Sequence, residues 1–263
     1  MKIQVIGLGT VGLPTAIHVS RFFDTIGYDI SLEARRNASK FIRTSDRILK
    51  ADGYIVIVST GLKHGKPVMT AIYDVAEEIA KINNKALVCI ESTVPVGTCR
   101  DLAVKFGLER VAHCPHRFWK GDPEKHGVVQ MRVLGAINEK TLEAAKEFYT
   151  KLGIPLHIVS SIEVAEMSKI VENSYRFVQI AFAEEVKMIC DRLGLDFNEV
   201  RAACNTKWNV AIPEARNGIG GHCLPKDTRY LKASAQARVH LLNGAIKADN
   251  LYKRWLQWKE SML

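Results

Sequence analysis

The sequence predicts an α/β domain with a doubly wound, mostly parallel sheet, followed by a smaller all-α domain. Two observations indicate this arrangement. Short apolar runs alternate with helix-like stretches up to about residue 160, and the strand signals then disappear. Strands that alternate with helices usually form a mostly parallel sheet covered on both faces. We therefore predict an α/β domain over residues 1–160 and an α-helical domain over residues 161–263.

The individual elements follow from the period of the apolar residues. The predicted strands are Lys2–Ile6, Thr25–Ile30, Tyr54–Ser59, Ala86–Ile90, Val111–His113, Arg132–Ile137 and His157–Val159. The clearest helical patterns between them are Val68–Ile82 and Glu139–Leu152. In the second domain, the predicted helices are Ser161–Leu193, Asn198–Cys204 and Asp227–Trp258.

Composition and charge limit the classes of function. Apolar residues make up 47% and charged residues 25% of the chain, which is typical of a globular protein and excludes a disordered one. No apolar run approaches the roughly 18–20 residues that span a bilayer, and the N-terminus has no secretory signal pattern. We therefore expect a cytoplasmic protein without a membrane partner. The net charge of +9 indicates an anionic partner, but basic and acidic residues are mixed, so we do not expect nucleic-acid binding.

The cysteines indicate neither disulfides nor a metal site. They are scattered and lack Cys-x-x-Cys spacing, so in a chain without a secretion signal we expect free thiols. His113, Cys114 and His116 lie close together in the sequence, but no fourth ligand has suitable spacing. We predict no metal.

A glycine-rich segment, Gly7-Leu-Gly9-Thr-Val-Gly12, follows the first strand and precedes a helix. In a dinucleotide-binding turn, the first glycine permits the tight turn, the second admits the pyrophosphate, and the third lets the helix pack on the strand. Asp29 ends the second predicted strand, where its carboxylate can bind the ribose hydroxyls and repel the 2′-phosphate of NADP. Arg35 and Arg36 keep NADP open as an alternative. The prediction is a Rossmann-like domain that binds NAD through Gly7, Gly9, Thr10, Val11, Gly12 and Asp29.

Two further patterns indicate chemistry. The segment Gly218-Ile-Gly220-Gly221-His-Cys223-Leu-Pro-Lys226-Asp227 combines glycines, a cysteine and a nearby cation, which favours the nucleophilic thiolate. A glycine-rich loop with an incidental cysteine fits these residues too. Lys169 and Asn173 are spaced to share one helix face, and a lysine and an amide that converge suit a developing oxyanion.

Four segments, in order along the chain, resemble the UDP-glucose/GDP-mannose dehydrogenase family. They are the Gly7–Pro14 loop, Glu91-Ser-Thr93-Val-Pro-Val-Gly97-Thr98, Glu166-Met-Ser-Lys169-Ile-Val-Glu-Asn173 and the Cys223 segment. Members of this family oxidise the C6 alcohol of a nucleotide-linked sugar to a carboxylate, with two NAD+ and a cysteine-bound thiohemiacetal and thioester. The resemblance implies an NAD-dependent nucleotide-sugar 6-dehydrogenase for UDP-glucose or a UDP-N-acetylhexosamine. It also implies a homodimer built on the long helix, whose apolar residues, Phe177, Ile180 and Phe182 among them, are spread around it.

The resemblance also implies roles for residues of this chain. The implied catalytic residues are Cys223 as nucleophile, Lys169 and Asn173 at the oxyanions, Asp227 as activator of water or of Cys223, and Thr93. Beyond the glycine loop and Asp29, the implied cofactor contacts are Thr60, Thr93 and Lys226. The implied substrate contacts are Lys169, Asn173, Gly220, His116 and Lys120.

The chain departs from the family pattern in three ways. His116 and Lys120 stand where the family has glutamates, and we expect Lys120 to contact the diphosphate. The segment between Asp29 and Tyr54 is short, and the chain stops where family members continue into a third, nucleotide-binding domain.

The sequence leaves the sugar and two other functions open. His222 resembles the N-acetylhexosamine branch, whereas Lys226-Asp227 resembles the UDP-glucose branch. The alternatives are a non-catalytic NAD-binding relative that pairs with or regulates a full-length enzyme, and a two-electron hydroxy-acid dehydrogenase.

Overall fold

A computed structural model describes residues 1–262, and the chain divides into two compact units. The first unit is Met1–Lys169 and the second begins at Ile170. This division falls inside a long helix, whereas the boundary predicted at residue 160 precedes that helix.

The first unit contains all of the strands that the structure describes. The strands are β1 (Lys2–Ile6), β2 (Asp24–Tyr28), β3 (Arg43–Ser45), β4 (Gly53–Val56), β5 (Gly61–Lys63), β6 (Lys66–Val68), β7 (Leu87–Ile90), β8 (Val111–His113), β9 (Arg132–Ala136) and β10 (Leu156–Ile158). Its helices are α1 (Gly12–Val19), α2 (Leu32–Ala38), α3 (Thr70–Asn83), α4 (Thr98–Phe106), α5 (Glu139–Lys151) and the start of α6 (Ile162–Arg192).

Eight strands form one sheet in the order β10-β9-β8-β7-β4-β1-β2-β3, and β5 and β6 form a separate antiparallel hairpin. Neighbouring strands of the large sheet are parallel except for β8 and β9. The strand order reverses at β1, which pairs with β2 on one side and β4 on the other. Ligands of doubly wound folds bind at the carboxyl ends of the strands at such a reversal. The predicted α/β class is confirmed.

Apolar layers cover both faces of the sheet. Because side chains alternate along a strand, Val5 of β1 packs into one layer and Ile6 into the other. Ala16 of α1 and Phe148 of α5 belong to the layer of Val5. Helices α3 and α4 contribute to the layer of Ile6.

The second unit is helical. It consists of the rest of α6 with α7 (Phe197–Cys204), α8 (Cys223–Ser234) and α9 (His240–Glu260). Its core contains Phe177 of α6, Ile219 of the loop before α8, and Tyr252 of α9.

The predicted helix Asp227–Trp258 is wrong, because α8 ends at Ser234 and α9 begins at His240. Ala235 is extended, with ψ of 107°. The residues between the two helices include neither glycine nor proline, so the sequence carried no sign of the break.

The short strands β3 (Arg-Thr-Ser), β5 (Gly-Leu-Lys) and β6 (Lys-Pro-Val) were not predicted, because they contain no run of apolar residues, unlike the equally short β8 (Val-Ala-His). The hairpin turns at His64 and Gly65, whose φ angles are 51° and 74°. Positive φ at both central residues is what a two-residue hairpin turn requires. Because Val68 belongs to this hairpin, α3 begins at Thr70 and not at Val68, where the sequence predicted it.

All six cysteines are free thiols, as predicted, and four of them are buried. Within residues 1–262, none of the helices combines the length and the apolar character that crossing a membrane requires.

Candidate active site

The glycine loop after β1 has the geometry of a dinucleotide-binding turn. Gly7 has a φ of 95°, and a Cβ there would lie 2.1 Å from the Ile57 carbonyl oxygen. A Cβ at Gly12 would lie 1.8 Å from the Gly7 carbonyl oxygen. At Gly9, by contrast, a Cβ would meet none of the described atoms within 4 Å. Packing therefore requires glycine at positions 7 and 12, whereas Gly9 leaves its backbone open to a ligand.

Helix α1 begins at Gly12, directly after this loop. Thr10 is exposed and Val11 is partly exposed at the start of the helix. The Leu13 N–H is bonded to the Gly9 carbonyl oxygen at 3.1 Å and Pro14 has no N–H, so the start of α1 attracts an anion mainly through the positive end of the helix dipole. This end of α1 can therefore hold a pyrophosphate.

Asp29 follows β2 and is bonded to the same loop. Its Oδ2 accepts the Leu8 N–H at 2.7 Å, and its Oδ1 accepts the Ser31 N–H at 2.8 Å. Each oxygen keeps a second lone pair, and the side chain is partly exposed. The carboxylate can therefore also accept ribose hydroxyls. The Arg35 guanidinium is tied to the backbone here, since Nη1 donates to the Asp29 carbonyl at 2.6 Å.

A cleft of about 380 Å³ opens beside the loop. Its lining combines apolar side chains, such as Ile30, Ile48 and Val75, with three carboxylates and no cationic side chain among the described residues; the carboxylates are Asp29, Asp74 and Glu78. The pKa of Tyr28, also in the lining, is raised by burial and by the Glu78 charge. The cleft suits an adenine and a ribose and disfavours a 2′-phosphate. The residues thus fit NAD.

Thr60 and Thr93 come together at the carboxyl edge of the sheet. The Thr60 hydroxyl donates to the Thr93 carbonyl oxygen at 2.9 Å. Glu166 of α6 fixes the end of the same loop, because its carboxylate accepts the N–H groups of Gly97 at 2.5 Å and Cys99 at 2.7 Å. Glu166 therefore holds the start of α4, a role that its spacing from Lys169 and Asn173 did not reveal.

His116 lies in a buried network of charges. Its Nε2 contacts the Glu91 carboxylate, which also receives the Tyr149 hydroxyl at 2.7 Å and lies 3.0 Å from Arg132 Nη1. His116 Nε2 is also 3.1 Å from the Thr15 hydroxyl of α1. The network connects the segment after β8 to the helix that starts at the cofactor loop.

The charges in this network shift each other's ionisation. Burial raises the pKa of Glu91, but Arg132 and His116 outweigh this effect and lower it to about 2. Burial and the Arg132 charge lower the pKa of His116. Glu91 is therefore an anion at neutral pH, held by Arg132.

The other predicted residues of the first unit lie in different surroundings. Lys120 is exposed, and Lys169 is partly buried on α6. His113 is buried, and burial lowers its pKa to about 4. Across residues 1–262, there is no group of three His, Cys, Asp or Glu side chains that could hold a metal ion.

In the second unit, Cys223 is exposed and is the first residue of α8. Lys226 and Asp227 follow at helical spacings of three and four residues, so they share its face of α8. The glycines before the helix have positive φ, 83° at Gly218 and 75° at Gly221. A Cβ at Gly220 would meet none of the described atoms within 4 Å, so this position leaves room for a ligand.

Asp227 is fully buried and joins two other predicted residues. Its Oδ2 accepts the Asn173 amide at 2.5 Å, and its Oδ1 lies 2.6 Å from the Lys226 ammonium. Lys226 also lies 4.2 Å from the ring centroid of Tyr230. The carboxylate therefore sets the orientation of the Asn173 amide and the position of the Lys226 charge.

The family of the chain is evident from comparison with known proteins. Residues 31–153 match the NAD binding domain of the UDP-glucose/GDP-mannose dehydrogenase family, and residues 163–250 match its central domain. The chain belongs to the UDP-glucose/GDP-mannose dehydrogenase family. Its first unit is the NAD-binding domain of a dehydrogenase, and NAD is its cofactor.

Two curated relatives and one solved structure illustrate the similarity. The chain is 31% identical to the UDP-N-acetyl-D-mannosamine dehydrogenase of Pyrococcus horikoshii, over 92% of this chain and 66% of the relative. It is 31% identical to the NDP-N-acetyl-D-galactosaminuronic acid dehydrogenase of Ralstonia solanacearum, over 94% of this chain and 68% of the relative. A solved structure of the UDP-D-ManNAc dehydrogenase from Pyrococcus horikoshii has a TM-score of 0.88 at 30% identity, covering 96% of this chain and 69% of that one. The chain thus spans about two thirds of the length of these relatives.

Proposed function

We propose that the chain oxidises the C6 alcohol of a UDP-sugar to the carboxylate, with Cys223 as the nucleophile. The observation that carries the proposal is the exposed Cys223 thiol at the first residue of α8, after a glycine turn. A helix N-terminus favours negative charge, which suits a thiolate that attacks an aldehyde.

The proposed chemistry has four steps. Oxidation of the alcohol first gives an aldehyde. The Cys223 sulfur then adds to the aldehyde carbon and forms a thiohemiacetal. A second oxidation gives a thioester, and water breaks its C–S bond to release the carboxylate and the free thiol. NAD+, when bound, supplies the hydride acceptor for each oxidation.

Asp227 and its partners have separate roles in this proposal. The Asn173 amide, held by Asp227, stabilises the oxyanion together with Lys169 of the same helix. Asp227 and Lys226 share the Cys223 face of α8, so Asp227 is the proposed group for proton transfer at Cys223. Lys226 is the residue of this unit that we propose to contact the cofactor. Thr60 and Thr93, bonded to each other, line the cofactor site.

The substrate class follows from the relatives. Their names refer to UDP-N-acetyl-D-mannosamine and to an N-acetyl-D-galactosaminuronic acid. Together with His222 beside Cys223, this favours a UDP-N-acetylhexosamine over UDP-glucose. Lys120 is the candidate contact for the diphosphate because it is exposed and cationic. His116 is buried against Glu91, so it supports the site from within the first unit.

We also propose that the chain forms a homodimer through α6. Tyr175, Phe182 and Ile189 are 64%, 54% and 49% exposed, and they recur every seven residues, so they lie on one face of the helix. A row of exposed apolar side chains on a helix is typical of an interface between protein chains.

A screen of UDP- and GDP-sugars, monitored by NADH absorbance, tests the proposed function. We expect two NADH for each sugar molecule, and the highest rate with a UDP-N-acetylhexosamine. One NADH per sugar would indicate a two-electron dehydrogenase instead. No NADH from any sugar, with NAD still bound, would indicate a non-catalytic relative.

A further inference from the structure

The loop before Cys223 is held by helix α9. Asp249 Oδ1 accepts the Ile219 N–H at 2.8 Å, and Lys253 Nζ donates to the Ile219 carbonyl oxygen at 2.8 Å. Lys253 also donates to Asp249 Oδ2 at 2.9 Å. Both polar groups of the Ile219 backbone are thus bound by one ion pair, within the second unit.

The neighbouring residue depends on the same lysine. Gly218 has a φ of 83°, and a Cβ there would lie 2.5 Å from Lys253 Cε and 2.6 Å from Lys253 Cγ. The aliphatic stem of Lys253 therefore lies against Gly218, and no larger residue fits there without displacing it. Tyr252 donates to the Arg216 carbonyl at 2.7 Å, which binds the preceding part of the segment to α9.

The two glycines between Ile219 and Cys223 make this anchoring necessary. Glycine restricts the backbone less than any other residue, and Gly220 and Gly221 are adjacent. Helix α8 fixes the chain after Cys223, and the contacts of Ile219 with Asp249 and Lys253 are the bonds described nearest to these glycines on the other side. Without them, the turn would be less restricted, and so would the position of the thiol.

We propose that Asp249 and Lys253 are positioning residues, which set the place of the Cys223 sulfur through Ile219. The proposal rests on the proposed function of Cys223. Asp249 is 4% exposed, so its carboxylate is buried together with the backbone groups that it organises. Neither residue needs to contact the sugar or the cofactor.

Lys253→Met is the test. It removes the ammonium but keeps a straight apolar stem beside Gly218. Because only the second oxidation requires Cys223, we expect its rate in rapid-mixing NADH traces to fall at least tenfold. The first oxidation and the dissociation constant of NAD should stay within twofold of the wild type. Lys253→Arg can donate to both acceptors and should recover most of the lost rate. A Lys253→Met enzyme with both rates of the wild type would overturn the proposal.

Lys259→Met is the matched control. Lys259 lies on the same helix and pairs with Asp191, and its side chain is 40% exposed against 38% for Lys253. The Lys259→Met variant loses the same charge, but Lys259 has no bond to the loop among the contacts described. The rates of the first and the second oxidation should therefore equal those of the wild type. If Lys253→Met does not fold, Asp249→Asn replaces it, with an expected loss of at least threefold confined to the second oxidation; equal rates would overturn the proposal.

A labelling experiment separates this proposal from the proposed function. If the wild type yields no NADH, the proposed function fails. The positioning role is then tested by the rate at which iodoacetamide labels each thiol, which reports how accessible the thiol is. Cys204, the other exposed cysteine of the second unit, is the internal reference. A loosened turn should raise the labelling rate of Cys223 relative to Cys204 at least threefold in Lys253→Met and leave it unchanged in Lys259→Met. Equal ratios in the two variants would contradict the positioning role.

Discussion

Asp29 is bonded to the glycine loop and also lines the cleft beside it. Its two oxygens hold the N–H groups of Leu8 and Ser31, and the same carboxylate lines the cleft. Hydrogen bonds to charged groups contribute roughly 1.5–3 kcal/mol each. The carboxylate proposed to bind the ribose therefore also fixes the conformation of the loop.

Asp29→Ala should weaken NAD binding by about tenfold or more, since about 1.4 kcal/mol corresponds to a factor of ten. Isothermal titration of NAD and NADP measures the effect. Asp24→Ala, at the other end of β2, removes a surface carboxylate and should leave the affinity unchanged. Equal affinity of the wild type for NAD and NADP would contradict the role of Asp29.

A glutamate should affect stability differently at positions 116 and 120, because His116 is buried and Lys120 is exposed. His116→Glu places a second carboxylate against buried Glu91, and we expect a loss of stability of about 3 kcal/mol or more. Lys120→Glu changes an exposed side chain and should alter stability by less than about 0.5 kcal/mol. It should still weaken binding of a UDP-sugar. Urea denaturation and titration with the substrate measure the two effects, and a stable His116→Glu protein would refute the network.

Glu184 makes the stability of the second unit depend on pH. It is fully buried on α6, and burial raises its pKa to about 7, with Asp249 adding to the rise and Lys253 opposing it. The unfolded value is near 4.5. Between about pH 4.5 and 7 the folded chain keeps a proton that the unfolded chain has lost, so stability falls as the pH rises through this window.

The substitution Glu184→Gln should remove this loss of stability with rising pH. At pH 8 we expect the variant to be more stable than the wild type by up to about 3 kcal/mol, since one pKa unit is worth about 1.4 kcal/mol. At pH 4.5 the two proteins should be nearly equal. Urea denaturation at both values measures the difference, and Glu185→Gln, at the exposed neighbouring position, is the control. The same gain at both pH values would show that ionisation of Glu184 is not the cause.

At the scale of elements, α6 has different roles on its different faces. Phe177 is buried in the core of the second unit, whereas Tyr175, Phe182 and Ile189 are exposed. Some of the apolar residues of α6 are therefore buried in the core of the second unit. The exposed row of Tyr175, Phe182 and Ile189 is not, and it is the proposed dimer interface.

Phe182→Asp should convert a dimer to a monomer at micromolar concentration, because a charge in an apolar interface loses its hydration. Sedimentation velocity measures the change. Val104→Asp, at a 79% exposed position of α4, should not alter the sedimentation of the protein. A wild type that sediments as a monomer would contradict the dimer.

At the scale of the whole molecule, the sequence predicted the parallel sheet, the glycine loop and the helical second part, because each has a regular period or a motif. It did not predict the break between α8 and α9, which has no glycine or proline, or the short strands β3, β5 and β6. It also missed the contacts of Glu166 with Gly97 and Cys99, and those of Asp249 and Lys253 with Ile219. These contacts join residues far apart in the chain, so no local pattern reports them.

The proposed function depends on both units. The cleft and the glycine loop belong to the first unit, and Cys223 and the group around Asp227 belong to the second. The two exposed cysteines of the second unit allow a direct test, because only one of them has the proposed role.

The number of NADH molecules formed per sugar in Cys223→Ser and Cys204→Ser tests the central claim most directly. We predict two NADH per sugar for the wild type and for Cys204→Ser. For Cys223→Ser we predict one at most, with aldehyde as the product and with NAD binding unchanged, because a serine hydroxyl is a much weaker nucleophile than a thiolate. A Cys223→Ser protein that still gives two NADH per sugar at the normal rate would contradict the account.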